Sequence, residues 1–175
     1  MNSIDIRNYI RDIVNFPKEG IVFKDITPLL GNPSALAMSI EMMANPFREL
    51  NIDIVAGAES RGFIFGTALA QSLSAGFVPI RKPNKLPHDT HSADYDLEYG
   101  SDSLQIHIDA IQPNQRVLIA DDLLATGGTM QACCELVERM GCELVGLTFL
   151  IELEFLKGRE KLAAYEDRIH SLIKY

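Results

Sequence analysis

The sequence contains no apolar run approaching the ~20 residues that a bilayer-spanning helix needs. Its first residues, Met1-Asn2-Ser3-Ile4-Asp5, lack the basic-then-apolar order of a secretory signal. A cytoplasmic protein with no membrane partner is therefore expected. Cysteine is scarce. Cys133 and Cys134 are adjacent and Cys142 follows eight residues later, so no CxxC spacing serves zinc or redox chemistry, and buried free thiols are expected. Positive charge is also short: 16 Lys and Arg stand against 24 Asp and Glu, a net charge of -8. That balance repels nucleic acid and argues against it as a partner. Neither GxxxxGK[ST] nor GxGxxG occurs, which removes two common nucleotide cradles. There is no internal repeat and no low-complexity tract.

What remains is a chain of 175 residues, 47% of them hydrophobic, enough for one domain with its own core. Apolar spacing predicts an amphipathic helix over 3–15, with Ile4, Ile6, Tyr9, Ile10, Ile13 and Val14 as its apolar set and Pro17 as its end. Residues 20–30 read as extended. Asn32-Pro33 supplies an N-cap and a first-turn proline for a helix to about Ala44. Ile52–Ala56, a helix over 61–74 and Gly76–Arg81 form a strand-helix-strand unit. Arg116–Ala120, a turn over 121–128, a helix over Thr129–Met140 and a strand over Leu144–Leu150 form a second. Between them, 83–96 reads as a long polar loop without structure of its own. Leu97–Tyr99 and Leu104–Ile108 read as hairpin arms about Gly100-Ser101-Asp102. A short helix over 155–163 and a strand over 169–174 close the chain. The sum is a single α/β domain with a mainly parallel central sheet flanked by helices.

The strongest chemical signal runs from Val117 to Thr129. An apolar strand ends in Asp121-Asp122, and Ala125-Thr126-Gly127-Gly128-Thr129 then opens a helix. In open α/β sheets ligands bind at the carboxyl ends of the strands. Successive backbone N–H groups at a helix start make an anion site, and two hydroxyls add donors. Paired acids beside a phosphate cradle repel the phosphate unless something stands between them. A sugar phosphate meets that condition, with its hydroxyls on the acids and its phosphate on the loop. The competing reading is a capped turn with a solvated acid pair.

A second strand-to-helix turn, Gly57-Ala58-Glu59-Ser60-Arg61-Gly62-Phe63, places an arginine able to grip a diphosphate in bidentate fashion; the plain alternative is an ordinary capping turn. In a chain this acidic, the cluster Arg81-Lys82-Pro83-Asn84-Lys85 is a third candidate for anion capture. His88-Asp89-Thr90-His91 carries three possible donors, but no further cluster completes a zinc site.

Asp-Asp-Leu-Leu-Ala-Thr-Gly-Gly-Thr over 121–129 resembles the phosphoribosyl diphosphate (PRPP) motif of the type I phosphoribosyltransferases. Glu-Ser-Arg-Gly-Phe over 59–63, Leu-Glu-Tyr-Gly over 97–100, Leu-Lys-Gly-Arg-Glu over 156–160 and the segment 20–28 together resemble the adenine branch of that family. The resemblance implies a single domain of that fold with an N-terminal hood over about 1–32 and a catalytic lid over about 83–100. It implies a purine salvage enzyme that converts adenine and PRPP to AMP and diphosphate. Asp121, Asp122 and Ala125 to Thr129 would then bind PRPP and AMP. Glu59, Ser60, Arg61, Arg81, Lys82 and Lys85 would bind diphosphate, with the Glu59–Ser60 peptide strained or cis. Glu98 would be the catalytic acid/base residue. Val22 and Lys24 would read adenine through the backbone while Phe23 and Leu153 cover it; for these two the alternative is a plain core role. Mg²⁺ would arrive mainly on PRPP rather than at a protein metal site. A homodimer with Arg81-Lys82 near its interface is also implied. His88-Asp89 and His91 depart from the common lid pattern, and Lys24 stands where relatives commonly have arginine. Two alternatives stay open: a phosphoribosyltransferase for a 6-oxopurine, and a non-catalytic PRPP sensor. The short stretch before the segment 20–28 and the negative charge argue against the sensor.

Overall fold

A computed structural model describes residues 5–96 and 101–175. They divide into two compact units, Met1–Met42 and Met43–Tyr175.

In the first unit, a 3-10 turn over Ile6–Tyr9 leads into strand β1 (Arg11–Val14), which pairs antiparallel with β2 (Val22–Asp25). The helix expected over 3–15 is thus not formed. Ile, Val and Tyr fit a pleated surface as well as a helical stripe, and pairing with β2 decides between them. Opposite charges sit directly across the ladder: Arg11 Nη2 lies 2.6 Å from Asp25 Oδ2 and Lys24 Nζ 2.7 Å from Asp12 Oδ1. Such cross-strand pairs hold register. The extended reading of 20–30 holds only through Asp25, because Thr27–Leu30 is the short helix α1. Helix α2 (Pro33–Ala44) follows, with Asn32 Oδ1 accepting the Ala35 N–H at 2.9 Å as the cap requires. A 3-10 turn over Asn45–Leu50 continues it beyond the expected break at Pro46.

The second unit is built on β3 (Ile54–Ala58), α3 (Gly62–Leu73) and β4 (Gly76–Ile80). An antiparallel hairpin of β5 (Thr90–Asp96) and β6 (Ser101–His107) comes next. Then follow β7 (Arg116–Leu124), α4 (Gly128–Arg139), β8 (Glu143–Glu152), the short helix α5 (Gly158–Lys161) and β9 (Ile169–Lys174). The sheet order is β4-β3-β7-β8-β9, every pair parallel. Both sheet faces are covered, as a buried run such as Val117-Leu118-Ile119-Ala120 demands. The α3 helix packs on β3, β4 and β7, whereas α4 packs on the β5–β6 hairpin and on β7 and β8. Cys133 and Cys134 are buried free thiols and Cys142 is half-buried. Burial pushes the Cys134 thiol up to about 12.

Three expectations need correction here. Residues 90–96 are a strand rather than structureless loop, and the hairpin's second arm begins at Ser101, inside the expected turn. The polar residues of β5 mask its strand character, while apolar Ala93 and Tyr95 alternate toward the core as a one-sided strand should. Strand β7 runs through both acids to Leu124, so Asp121 and Asp122 are strand residues and not a turn. Finally, the single helix expected over 155–163 is three short pieces, Glu154–Leu156, α5 and a 3-10 turn over Ala163–Arg168.

Candidate active site

The carboxyl ends of β3 and β7 lie side by side in the sheet, with Gly57 opposite Ala120. A cleft of about 240 Å³ opens there, lined by Glu59 to Arg61 and by Asp121 to Met130. The two turns singled out from sequence therefore share one cavity. Helix α4 begins at its edge, and the first N–H groups of an α-helix have no acceptor within the helix. Gly127 caps it in the left-handed region, at φ 83°, a conformation that glycine adopts without penalty.

The acid pair is differentiated by its surroundings. Asp122 is buried, with its Oδ2 2.9 Å from Arg61 Nε. Asp121 is half-buried, and its Oδ1 accepts the Asp122 N–H at 2.8 Å. Burial first, and then the neighbouring Asp122 charge, push the Asp121 carboxyl well above the usual range. Burial also raises Asp122, opposed by the Arg61 charge. A pair of acids held above their ordinary affinity for protons favours hydroxyl donors, which satisfy oxygen lone pairs without adding negative charge.

The Glu59–Ser60 peptide is cis. Glu59 is the acceptor that organises the basic cluster. Its carboxylate takes Arg81 Nε at 3.2 Å, Arg81 Nη2 at 3.3 Å and the Lys82 backbone N–H at 3.0 Å. Burial pushes the Glu59 pKa up, but the Lys82 N–H and the Arg81 guanidinium outweigh it and leave a net lowering. Arg81 also donates to the Lys85 carbonyl at 3.2 Å. Lys82 Nζ sits 3.0 Å from Asp102 Oδ2, which also accepts the Tyr95 hydroxyl at 3.2 Å. A polar chain thus links the basic cluster to the hairpin.

In the first unit, Val22 is exposed, and Phe23 and Lys24 are half-buried. The Phe23 ring meets Phe16 edge-on at 5.2 Å. Leu153, in the second unit, is half-buried and its N–H donates to the Leu124 carbonyl at 2.9 Å. Glu98 lies outside the described residues. Among the described residues, no group of three His, Cys, Asp or Glu side chains is placed to hold a metal ion, and no helix is long and apolar enough to cross a membrane.

Sequence reasoning assigns no role of their own to several residues beside these turns. Tyr95 falls within the expected lid and Asp102 within the expected hairpin turn, yet Asp102 is the partner of both Lys82 and the Tyr95 hydroxyl. Gly158 belongs to a segment singled out by its resemblance alone, yet its backbone abuts the glycine-rich loop: a Cβ on Gly127 would stand 2.5 Å from Gly158 O. The spacing of 31 residues between Gly127 and Gly158 carries no local signal of that contact.

Comparison with known proteins agrees with this geometry. The model of the phosphoribosyl transferase domain matches residues 26–173. The adenine phosphoribosyltransferase of Rhodopirellula baltica is 59% identical over 172 residues, which cover 98% of this chain and 82% of that protein. The crystal structure of the adenine phosphoribosyltransferase of Thermoanaerobacter pseudethanolicus superposes with a TM-score of 0.93 at 54% identity, covering 97% of this chain and 98% of that one. The Saccharomyces cerevisiae enzyme, solved with adenine and D-2,5-dideoxy-2,5-imino-altritol 1,6-bisphosphate, has a TM-score of 0.88 at 42% identity, covering 95% of this chain and 96% of that one. Matched by the domain model over most of its length and by these relatives over nearly all of it, the chain belongs to the phosphoribosyltransferases, in the adenine phosphoribosyltransferase family.

Proposed function

We propose that this protein transfers the phosphoribosyl group of PRPP to adenine, giving AMP and diphosphate. The observation that carries the reading is the single cleft shared by Glu59–Arg61 and Asp121–Thr129, set in a chain of this family. The ribose 5-phosphate would rest on the N–H groups of Ala125 to Thr129 and on the hydroxyls of Thr126 and Thr129. Asp121 and Asp122 would hold the ribose hydroxyls, and the turn at Ser60-Arg61 would face the diphosphate. Arg81, Lys82 and Lys85 would offset the charge that grows as the diphosphate leaves, with Glu59 holding the Arg81 guanidinium and the Lys82 backbone.

The reaction breaks the bond between the anomeric carbon and diphosphate oxygen and forms one from that carbon to a ring nitrogen of adenine. The ring proton so displaced goes to a base, the role we assign to Glu98. Val22 and Lys24 would present backbone groups to the adenine edge, with Phe23 and Leu153 as apolar cover. Carboxylate oxygens such as those of Asp121 suit Mg²⁺, which would come with the diphosphate and neutralise its charge. We further propose a cytoplasmic homodimer with Arg81-Lys82 near its interface.

Steady-state assays with PRPP, Mg²⁺ and each purine in competition test the reading. AMP and diphosphate should form with adenine strongly preferred. Preference for hypoxanthine or guanine would move the assignment to a 6-oxopurine enzyme, and no turnover by folded protein would favour a sensor.

A further inference from the structure

Behind the glycine-rich loop lies a second turn that the reaction scheme does not use. Strand β8 ends at Glu152, which stands opposite Leu124 in the β7–β8 register. The chain then turns through Glu154–Leu156 and reaches Gly158 by way of Lys157, itself left-handed at φ 53°. At Gly158 the two segments interlock. A Cβ on Gly158 would collide with the Ala125 carbonyl oxygen and stand 3.0 Å from Leu124 Cδ1. Reciprocally, a Cβ on Gly127 would stand 2.5 Å from Gly158 O. Neither side accommodates even one added carbon without moving backbone, and backbone yields less readily than a side-chain tip.

The turn is fastened at its next residue. Arg159 Nε and Nη2 donate to Glu152 Oε1 and Oε2 at 2.6 and 2.9 Å, and Nη2 lies 3.5 Å from Ser171 Oγ on β9. Glu152 is 3% exposed. Burial pushes its carboxyl up, but the Arg159 fork outweighs this and holds the net pKa down. A buried, two-pronged pair fixes direction as well as distance, since a planar guanidinium matches a carboxylate in one orientation. The sheet end of β8 thereby sets where Gly158 stands, and Gly158 bounds the space left for Ala125 and Gly127.

We propose that Gly158 and the Glu152–Arg159 pair are positioning residues for the phosphate loop: they press the backbone of residues 125–127 into the shape that receives the 5-phosphate of the sugar. This deepens the transferase reading and rests on it for the identity of the ligand. None of the three residues needs to touch substrate. A loop held in shape before binding saves the ordering cost of binding, so the effect belongs in affinity for the phosphorylated sugar rather than in the chemical step.

The test uses Gly158→Ala and Arg159→Lys in the full chain, with ribose 5-phosphate binding by calorimetry beside steady-state kinetics and thermal melts. Gly158→Ala should weaken ribose 5-phosphate binding and raise the PRPP KM tenfold or more. Its kcat at saturating PRPP and its adenine KM should stay within about threefold. Arg159→Lys keeps the charge but loses the fork, and should shift the same constants in the same direction by a smaller factor. Should Gly158→Ala not fold, Arg159→Lys decides alone. Ribose 5-phosphate affinity equal to wild type in a folded variant would overturn the proposal, as would a parallel rise in the adenine and PRPP constants. Wild-type protein that binds ribose 5-phosphate but does not turn over adenine would instead sink the functional reading, and the binding comparison would still decide the brace.

Discussion

Arg61, just before helix α3, closes onto Asp122, near the end of strand β7, with Nε 2.9 Å from Oδ2. The two residues are 61 positions apart in sequence, and their contact joins the turn after β3 to the acid pair. Asp122 is 4% exposed, so its charge is tolerable chiefly because the guanidinium offsets the cost of desolvation.

Arg61→Gln should therefore destabilise the unliganded protein. A buried acceptor left without its ionic partner costs about 1–3 kcal/mol, more where charge is retained. Adding Asp122→Asn to Arg61→Gln should recover much of that loss, because the unpaired charge disappears. Urea denaturation of the single and double variants measures both; a double variant no more stable than the single one would count against the pairing.

Asp121→Asn should do the reverse. Burial and Asp122 raise the Asp121 carboxyl, so folded protein holds the proton more tightly than unfolded chain. Its stabilising contribution is full below the unfolded pKa and lost as pH rises through the folded one. At neutral pH this raised carboxyl costs stability that asparagine restores, while the asparagine amide oxygen still accepts the Asp122 N–H. The melting temperature at pH 7 should rise by a few degrees while PRPP binding weakens at least tenfold. A lower melting temperature would contradict this account.

Acid should unfold the protein through a different set of carboxylates. Asp25 is held down to about 2 by the Thr27 side-chain and backbone bonds and then by Arg11. The Lys82 ammonium and the Ser103 N–H lower Asp102. Glu59 is lowered as well, despite burial. For each, folded affinity for the proton is below the unfolded one, so the stability they provide is complete above about pH 4–5 and fades as pH falls toward 2. Denaturant midpoints measured between pH 7 and 2 should decline over that window. Asp25→Asn should flatten the lower part of the decline.

Glu98→Gln tests the proposed base. Removing a general base lowers turnover by about 10²–10⁴-fold, and PRPP affinity should change less than threefold. Turnover within a factor of ten of wild type would remove the assignment.

Much of the site was legible because its parts are local. Strand, acid pair and glycine-rich helix start are contiguous from Val117 to Thr129, and Glu59-Ser60-Arg61 is contiguous at the other turn. The parallel sheet then brings the two together, since β3 and β7 are neighbours in register. The helix expected over 3–15 fails for a related reason. Ile13 and Val14 suit a pleated strand as readily as a helical stripe, and only the opposing strand β2, with Asp25 and Lys24 across from Arg11 and Asp12, selects one.

By itself, the order of residues determined the two strand-helix-strand units of the parallel sheet, the turns that line one cleft and the family to which the chain belongs. These depend on neighbours a few positions apart, whose periodicity, capping and backbone freedom act at short range. Tertiary structure alone decided which charges neutralise one another. Glu59 gathers Arg81, Asp122 takes Arg61, Asp102 takes Lys82 and Glu152 takes Arg159. It also decided that Gly158 abuts Gly127. Coulomb and contact forces act over a few ångströms of space and are indifferent to sequence separation, so these partners acquire meaning only when the folded sheet has set the distances.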